Sequence, residues 1–336
     1  MTNVRVLVPE RITGPAPDAA FSIGRLHGRS MGCAWTVTCV LPADADEAHL
    51  AAGITSVLDC VVQQMSTWEP ESDISRFNRA APGSWLPLPA EFALVLGCAL
   101  HVARATGGAL DPTAGSLVTL WGFGSARRYQ EPGFAPPAAT AIETARRHCG
   151  WRRLQVNTTT MQICQPGELQ LDLSAVAKGF AVDAVSRYLR GHGVEHHLVD
   201  VGGELRGMGM KPDGQPWWVD VQLPPGVDAM PTRIALHGLA VATSGDYLQG
   251  FSVNGRHYSH CIDPRSGMPV CNGVRSVTVL HRDCMLADAW STALMVLGPE
   301  AGIPVAESEQ IAAQWLVRAG EGCTEYCSSR FQALVA

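Results

Sequence analysis

The pattern of apolar and polar positions divides the chain into helical segments and shorter extended segments. The predicted helices lie at about 44–66, 89–106, 140–150, 175–190, 284–297 and 299–307. The predicted strands lie at about 32–41, 153–157, 160–164, 168–173, 196–201, 204–209, 217–223, 232–237, 239–243, 275–281, 313–318 and 330–335. Because antiparallel meanders are combined with several helices, the pattern predicts an α+β fold.

Small residues are predicted to mark the ends of several elements. Ser174 can cap the start of its helix, and Gly191 can end it. Gly107-Gly108 and Gly298-Pro299 are expected to stop two further helices. Residues 124–139, rich in Gly, Pro, Ala and Arg, are predicted to be a surface loop.

The domain organisation follows from length and pattern. A chain of 336 residues is long enough for one large domain or two small ones. Residues 1–29 have a poor pattern and are expected to be an N-terminal leader. Residues 30–336 are expected to form the domain that carries the function.

Composition and charge exclude several classes of protein. The hydrophobic content of 46% and charged content of 17% are typical of a compact globular chain. The net charge is -6 and no stretch concentrates Lys and Arg, which argues against a nucleic-acid partner. No apolar run is long enough for a transmembrane helix. The start of the chain shows neither a signal peptide nor a lipoprotein cysteine, so we expect a cytoplasmic protein, or a periplasmic one if the natural chain begins earlier.

The eleven cysteines form no C-x-x-C pair. Their number is odd and most lie in apolar runs, which favours buried or unreactive thiols in a reducing compartment. The alternative is a labile pair formed by Cys323 and Cys327.

The sharpest chemical pattern is LADAWSTALMVLG at 286–298. On a helix, Asp288 and Thr292 lie on one face, because they are four positions apart. A carboxylate and a hydroxyl are hard oxygen ligands that suit Mg²⁺. The alternative is an acidic residue that stabilises the helix dipole.

A second pattern is LDLSAVAKGFAVDAV at 171–185. The N–H groups at the start of the predicted helix favour an anion such as a phosphate. Asp172 would be available to a ligand or a metal, and Lys178 could pair with the phosphate. The alternative is an ordinary capped helix with Lys178 in solvent.

Three further segments carry candidate chemistry. In YSHCIDPRSGMPV, Asp263-Pro264 indicates a tight turn, and His260 could act as a general acid or base. The alternative is a polar turn with a structural histidine. GGALDPTAGSLVTLWGFG at 107–124 has five glycines, which allow a close backbone approach to a flat ligand. VATSGDYLQGF at 241–251 is a strand end followed by a turn of small residues. Phosphate-binding P-loop, dinucleotide-binding, nucleophile-elbow and H-E-x-x-H motifs are absent from the sequence.

Taken together, these segments resemble the ApbE family of FAD:protein FMN transferases. The matching segments, in the family's order, are MGCAW, MSTWEPESDISRFN, ALDPTAGSLVTLWGFG, LDLSAVAKGFAVD, LVDVGGELRGMG, VATSGDY, YSHCIDPRSG and SVTVLHRDCMLADAWSTALMVLG. They cover about residues 30–300. The resemblance implies an α+β fold whose core of antiparallel sheet and packed helices is related to the T-fold.

The resemblance also implies a site. Positions that match FAD contacts are Met31, Trp68, Ala109, Leu110, Asp111, Asp172, Lys178 and Ile262. Asp288 and Thr292 match metal ligands, together with the backbone carbonyl of Ala175. His260 matches a histidine proposed to help catalysis, and Asp263 is a second candidate for taking the proton.

Two residues depart from the family pattern. Cys33 stands where the family's first motif usually has threonine. Ser291 stands where some members carry a second acidic metal ligand, which lowers the charge of the expected metal site.

The implied reaction uses Mg²⁺ and FAD as substrate. A threonine or serine of an acceptor flavoprotein, within a short flavinylation motif, would receive FMN by a phosphoester bond and AMP would leave. Two alternatives stay open: an FAD pyrophosphatase that yields free FMN and AMP, and a non-catalytic FAD-binding protein.

Overall fold

The computed structural model describes residues 4–9, 11–18, 20–126, 128–320 and 322–336. The strands in this part of the chain are β1 (Arg5–Leu7), β2 (Ser22–Ser30), β3 (Cys33–Leu41), β4 (Trp85–Pro87), β5 (Gln155–Asn157), β6 (Gln162–Cys164), β7 (His197–Val201), β8 (Glu204–Met208), β9 (Trp217–Asp220), β10 (Thr232–Leu236), β11 (Leu239–Gly245), β12 (Gly250–Val253), β13 (Arg256–Ser259), β14 (Ile262–Asp263), β15 (Met268–Pro269), β16 (Val274–His281), β17 (Ala312–Ala319) and β18 (Gly322–Cys327). The helices are α1 (Glu47–Met65), α2 (Asp73–Arg79), α3 (Ala90–Ala105), α4 (Gly115–Leu120), α5 (Ala139–Arg147), α6 (Ser174–Gly191), α7 (Cys284–Ser308) and α8 (Ser329–Gln332).

The centre of the fold is an antiparallel sheet, which the described residues build from eight strands in the order β18-β17-β16-β11-β8-β7-β3-β2. Helices α1, α3, α6 and α7 cover one face and contribute most of the main hydrophobic core. The opposite face packs against the small sheet β1-β10-β9 through a second core that includes Leu7, Trp217 and Phe331. The predicted α+β fold is therefore confirmed, as one large sheet between a helical layer and a smaller sheet.

The predicted long elements are confirmed with small shifts at their ends. The 284–297 helix corresponds to the first part of α7, whose helical backbone is interrupted at Gly298 (φ 69°). A single glycine with positive φ separates it from the predicted 299–307 helix.

Some predicted elements are wrong. Residues 168–173 do not form a strand in the structure, and Gln170 makes only an isolated bridge to Ala114. The predicted strand at 330–335 is the short helix α8, because the Ser328 side chain accepts a hydrogen bond from Phe331 N–H and caps a helical turn. Ser174 is not a cap either, since α6 begins at Ser174 and Leu173 holds the N-cap position.

The expected leader at 1–29 overlaps two strands. The boundary at residue 30 falls inside β2, which pairs with β3 along its whole length. β1 pairs with β10, and Leu7 is buried in the second core. The pattern of β2 was poor because it is an edge strand, and polar residues alternate with its few apolar ones.

Candidate active site

Helices α6 and α7 cross in close contact at Gly179, and this crossing brings two of the sequence-predicted segments together. Gly179 N–H donates to Asp288 Oδ2 over 2.9 Å. A Cβ on Gly179 would lie 2.3 Å from the Cys284 carbonyl oxygen and 2.8 Å from Asp288 Cβ, so only glycine allows this approach. One turn further along α6, the Asp183 carboxylate accepts hydrogen bonds from Cys284 and Met285 N–H and caps α7.

These contacts fix the direction of the crossing. Moving back along α6 from Asp183 to Gly179, the contacts move forward along α7 from Cys284 to Asp288, so the helices run antiparallel. Ala175 lies one turn before Gly179 on α6, and Thr292 lies one turn after Asp288 on α7. We therefore expect the three predicted metal ligands to lie near one another.

Oxygen atoms are concentrated at that place. Asp288 is only 4% exposed, and burial raises the pKa of its carboxyl, while Lys178 and Gly179 N–H act in the opposite direction. Ser244 Oγ at the end of β11 lies 3.1 Å from Thr292 Oγ1 and 2.8 Å from Ser291 Oγ. Carboxylate, hydroxyl and carbonyl oxygens are the donors that hard divalent cations prefer.

The Ser291 hydroxyl is buried and is already hydrogen-bonded within the protein. Its hydroxyl donates to the Asp288 carbonyl oxygen over 2.8 Å and is 1% exposed. The part of the chain that the structure describes holds no cluster of three or more His, Cys, Asp or Glu side chains suited to a metal.

Lys178 points toward a residue that the sequence did not single out. Its Nζ lies 2.6 Å from Oε1 of Glu204, at the start of β8. Burial opposes the charge on Lys178, but the nearby Glu204 and Asp288 carboxylates outweigh it and raise the pKa of the ammonium. Burial, and then Asp288, raise the pKa of Glu204 to about 7, although Lys178 counteracts them. Glu204 lies in the quoted segment LVDVGGELRGMG, where an acidic residue directly after a Gly-Gly turn was the available signal.

The turn between β2 and β3 places Met31 near this cluster. Met31 and Gly32 both have positive φ (49° and 73°), as a two-residue type I′ hairpin turn requires. Cys33 follows directly and is electrostatically coupled to Lys178 and Glu204; burial is the largest cause of its raised pKa. The MGCAW segment thus lies beside the start of α6.

A backbone hydrogen bond joins the loop that contains Asp111 to the loop that contains Asp172. Asp172 N–H donates to the Pro112 carbonyl over 2.8 Å. Asp172 Oδ1 accepts hydrogen bonds from Ser174 N–H and Oγ at the start of α6. Asp111 Oδ1 accepts from Thr113, and its Oδ2 accepts from Trp151 N–H over 3.2 Å, so this carboxylate organises its own loop. Beside it, a cleft of about 320 Å³ is lined by glycines 107 and 108, among others.

Trp68 is the exposed aromatic of the predicted site. It is 55% exposed, and the Arg128 guanidinium lies 5.4 Å from the centroid of its ring. Ser125 Oγ donates to the Thr67 carbonyl, which ties the predicted loop at 124–139 to the turn that bears Trp68. Phe123, which directly precedes that loop, lies edge-on to His260 with 6.3 Å between ring centroids.

His260 has a defined orientation. Its Nδ1 lies 3.1 Å from the Gln249 carbonyl oxygen, which can only accept, so Nδ1 carries the hydrogen. Nε2 faces the buried Cys261, whose Sγ is 3.8 Å away. Burial opposes the charge on the imidazole, but contact with Cys261 outweighs it and raises the pKa of His260.

The Asp263 carboxylate is hydrogen-bonded to Arg265 within its own turn and not to His260. Its two carboxylate oxygens accept hydrogen bonds from Arg265 Nε and Nη2 at 2.8 and 3.0 Å. Among the hydrogen bonds of the described residues, none joins Asp263 to His260. Its neighbour Ile262 is buried, with 8% of its surface exposed. Ala109 and Leu110 are also buried, with 1% and 5% exposed. Side chains this deep leave mainly backbone atoms for a ligand.

Comparisons with known proteins identify relatives that match nearly the whole chain. The model of the ApbE family matches residues 31–315. The FAD:protein FMN transferase of Vibrio cholerae is 38% identical over 314 residues, covering 93% of this chain and 92% of the relative. The Escherichia coli K12 protein of the same name is 33% identical over 325 residues, covering 96% and 92%. The crystal structure of the Pseudomonas stutzeri flavinyl transferase ApbE in its apo form superposes with a TM-score of 0.85 at 36% identity, covering 94% of this chain and 97% of that chain.

Proposed function

The chain belongs to the ApbE family, and we propose that it is a magnesium-dependent FAD:protein FMN transferase. In the proposed reaction, FMN moves from FAD to a threonine or serine of an acceptor flavoprotein, and AMP is released. Relatives that are 33–38% identical over nearly their whole length carry this transferase name. Within the described residues, no helix has the length and apolar composition needed to cross a bilayer.

One observation carries the proposal. The crossing of α6 and α7 places a buried carboxylate, Asp288, near a half-buried ammonium, Lys178, at the N-terminal end of a helix. A helix start and a lysine favour a phosphate chain, and a buried carboxylate with neighbouring oxygens favours a divalent cation. A metal next to a phosphate-binding helix end is the combination that phosphoryl-transfer chemistry requires.

The residues present fit Mg²⁺. Asp288, Thr292 and the Ala175 carbonyl would hold the ion, since all three offer hard oxygen donors at one crossing of two helices. When bound, the ion neutralises charge that develops on the pyrophosphate oxygens of FAD.

The residues proposed to contact FAD fall into two groups, those with exposed side chains and those with buried side chains. Trp68 offers an open aromatic face to a flat ring, and Lys178 offers its ammonium to the pyrophosphate. Asp172 accepts hydrogen bonds from Ser174 at the start of α6, and Met31 lies in the turn before Cys33, which interacts electrostatically with Lys178. The buried residues Ala109, Leu110 and Ile262 would contribute mainly backbone atoms. Asp111 would also contribute mainly backbone atoms, because its carboxylate is hydrogen-bonded within its own loop.

The proposed transfer forms one phosphorus–oxygen bond and breaks another. The acceptor hydroxyl oxygen attacks the FMN-side phosphorus, and the bond from that phosphorus to the bridging oxygen breaks, so AMP leaves with that oxygen. We assign the hydroxyl proton to His260 Nε2, because the Gln249 carbonyl holds the hydrogen of the neutral ring on Nδ1. Asp263 is a poorer base because its carboxylate is paired with Arg265.

The experiment incubates the protein with FAD and Mg²⁺, with and without a peptide that carries a threonine flavinylation motif. AMP release and peptide mass are measured together. Peptide that gains one FMN for each AMP released supports the transferase. Free FMN with AMP and unmodified peptide supports a pyrophosphatase, and bound FAD without AMP supports a carrier.

Asp288→Ala tests the metal assignment in the same assay. We expect FMN transfer to be lost while the circular-dichroism spectrum stays native. Asp283→Ala is the matched control, since Asp283 precedes the same helix, is exposed and makes no capping hydrogen bond. Near wild-type transfer by Asp288→Ala at saturating Mg²⁺ would refute the assignment.

A further inference from the structure

Glu204 is a buried carboxylate whose two oxygens have different surroundings. Its side chain is 5% exposed, and Oε1 accepts a hydrogen bond from Lys178 Nζ over 2.6 Å. Within the described part of the chain, Oε2 has no hydrogen-bond partner. Burying a carboxylate oxygen without a hydrogen-bond partner costs folding free energy. A buried group of this kind often has a functional role.

The backbone holds Glu204 firmly in place. It follows the turn Gly202-Gly203, whose φ angles of 64° and 101° are those of the left-handed region, and it pairs with Val201 across that turn. β8 lies inside the large sheet, between β7 and β11. A Cβ on Gly202 would lie 2.8 Å from Cys33 Sγ and 3.7 Å from Glu204 Oε2, so the turn and the MGCAW segment pack closely here.

Lys178 is a long side chain that needs such a partner. A lysine ammonium sits on a flexible stem and loses rotamer entropy when it is fixed. Lys178 interacts with both Glu204 and Asp288, but its direct contact is with Glu204. The lysine is therefore anchored by a rigid strand while it lies beside the proposed metal site.

We propose that Glu204 is a positioning residue that holds the Lys178 ammonium where the pyrophosphate of FAD binds. The inference rests on the proposed function. Glu204 does not touch the reacting atoms, and its effect passes through Lys178. The alternative is an ordinary buried ion pair that affects only the stability of the fold.

A double-mutant cycle separates these two roles. The variants are Glu204→Gln, Lys178→Met and the double variant, and each is measured for the Kd of FAD with Mg²⁺, for kcat and KM of transfer, and for unfolding in urea. Glu204→Gln keeps the shape of the side chain and removes its charge. Lys178→Met keeps the stem and removes the ammonium.

If Glu204 acts through Lys178, Glu204→Gln should weaken FAD binding by about tenfold to one hundredfold, the cost of a lost charged hydrogen bond. In the Lys178→Met background, the same change should alter the Kd by less than about twofold, because coupled residues are not additive. Glu325→Gln is the control: it breaks a distant ion pair, with Arg5, and should leave the Kd of FAD unchanged.

Two results would overturn the inference. One is a Glu204→Gln protein that binds FAD as tightly as the wild type. The other is an equal loss in both backgrounds, which would indicate a structural effect. If the wild type binds FAD but does not transfer FMN, the proposed function fails, and the Kd cycle still decides the role of Glu204. A wild type that binds no FAD would refute both.

Discussion

His260 and Cys261 are neighbours in sequence and in space, and each stabilises the charged form of the other. Burial alone would lower the pKa of His260, but the Cys261 thiol and the Gln249 carbonyl outweigh it and raise that pKa above the ordinary 6.5. The buried Cys261 has a lowered pKa, because His260 outweighs the burial that would raise it. Lys178 lowers the pKa of His260, and Asp246 is also coupled to it.

A pH prediction follows for the proposed base. Only the neutral imidazole can accept the proton of the acceptor hydroxyl, so transfer should fall as the pH drops through the pKa of His260. Because that pKa is raised, the acidic limb of the kcat profile should lie above pH 6.5. In Cys261→Ala the effect of burial prevails, and the limb should move to lower pH. The measurement is kcat against pH at saturating FAD.

Cys98→Ala is the control for this experiment. Cys98 is likewise a buried thiol, but it lies in α3 and carries no contact to His260 among the described residues. Its profile should overlay that of the wild type. A Cys261→Ala profile that also overlays it would contradict the role given to the thiol.

The residues of the site were only partly predictable from sequence. Asp288 and Thr292 could be proposed as metal ligands because helical spacing places them on one face. Glu204 and Asp183 were missed, because their partners Lys178 and the start of α7 are distant in sequence. Whether a carboxylate faces a ligand or its own loop, as Asp111 does, depends on local hydrogen bonds that spacing does not encode.

At the scale of elements, the site depends on how closely α6 and α7 approach. Gly179 has no side chain to separate them, and its N–H is free to donate to Asp288. A larger residue at 179 would therefore change the helix packing and the proposed metal site together.

Gly179→Ala should destabilise the protein by about 3 kcal/mol, because the new Cβ clashes with backbone and side-chain atoms of α7. It should also weaken the Mg²⁺ dependence of FAD binding. Urea unfolding and FAD titration with and without Mg²⁺ provide the two readouts.

Gly97→Ala is the matched control in another helix. Gly97 lies within α3, and nothing lies within 4 Å of an added Cβ. The change should raise the free energy of unfolding by about 0.5 to 1 kcal/mol, since alanine favours a helix interior over glycine. Equal stability losses in both variants would show that the helix crossing is not the cause.

The elements themselves were predictable where periodicity was long. Helices α1, α3, α6 and the first part of α7 carry enough turns to reveal a buried face. The short helices α2 and α4 and the edge strands β2 and β18 were missed, since few residues and one exposed face leave little pattern. The 330–335 segment was assigned to a strand because the cap at Ser328 was not recognised.

At the scale of the whole molecule, the two ends of the chain close one side of the fold. β1 adds to the small sheet, and Val335 bridges to Leu7. Arg5 donates to both carboxylate oxygens of Glu325 on β18. The segment expected to be a leader is thus tied to the edge of the large sheet, a contact between residues 320 positions apart that no local pattern could predict.

The Arg5–Glu325 pair predicts how stability depends on pH. The Arg5 hydrogen bond is the largest cause that lowers the pKa of Glu325, from 4.5 to about 2. A carboxyl with a lowered pKa in the folded state stabilises the fold above its unfolded pKa, and this contribution disappears as the pH falls through the folded value. Glu325→Gln should therefore cost about 1 kcal/mol at pH 7, allowing for solvent screening of a partly exposed pair.

That cost should shrink as the pH falls from 4.5 toward 2, since the wild-type carboxyl then becomes neutral like the amide. Urea unfolding of both proteins across this range measures the difference. Asp220→Asn is the control: its pair with Arg233 is largely exposed, so solvent screens it and the change should have little effect at any pH. A difference between wild type and Glu325→Gln that is constant with pH would mean that packing, rather than the ion pair, holds the two ends of the chain together.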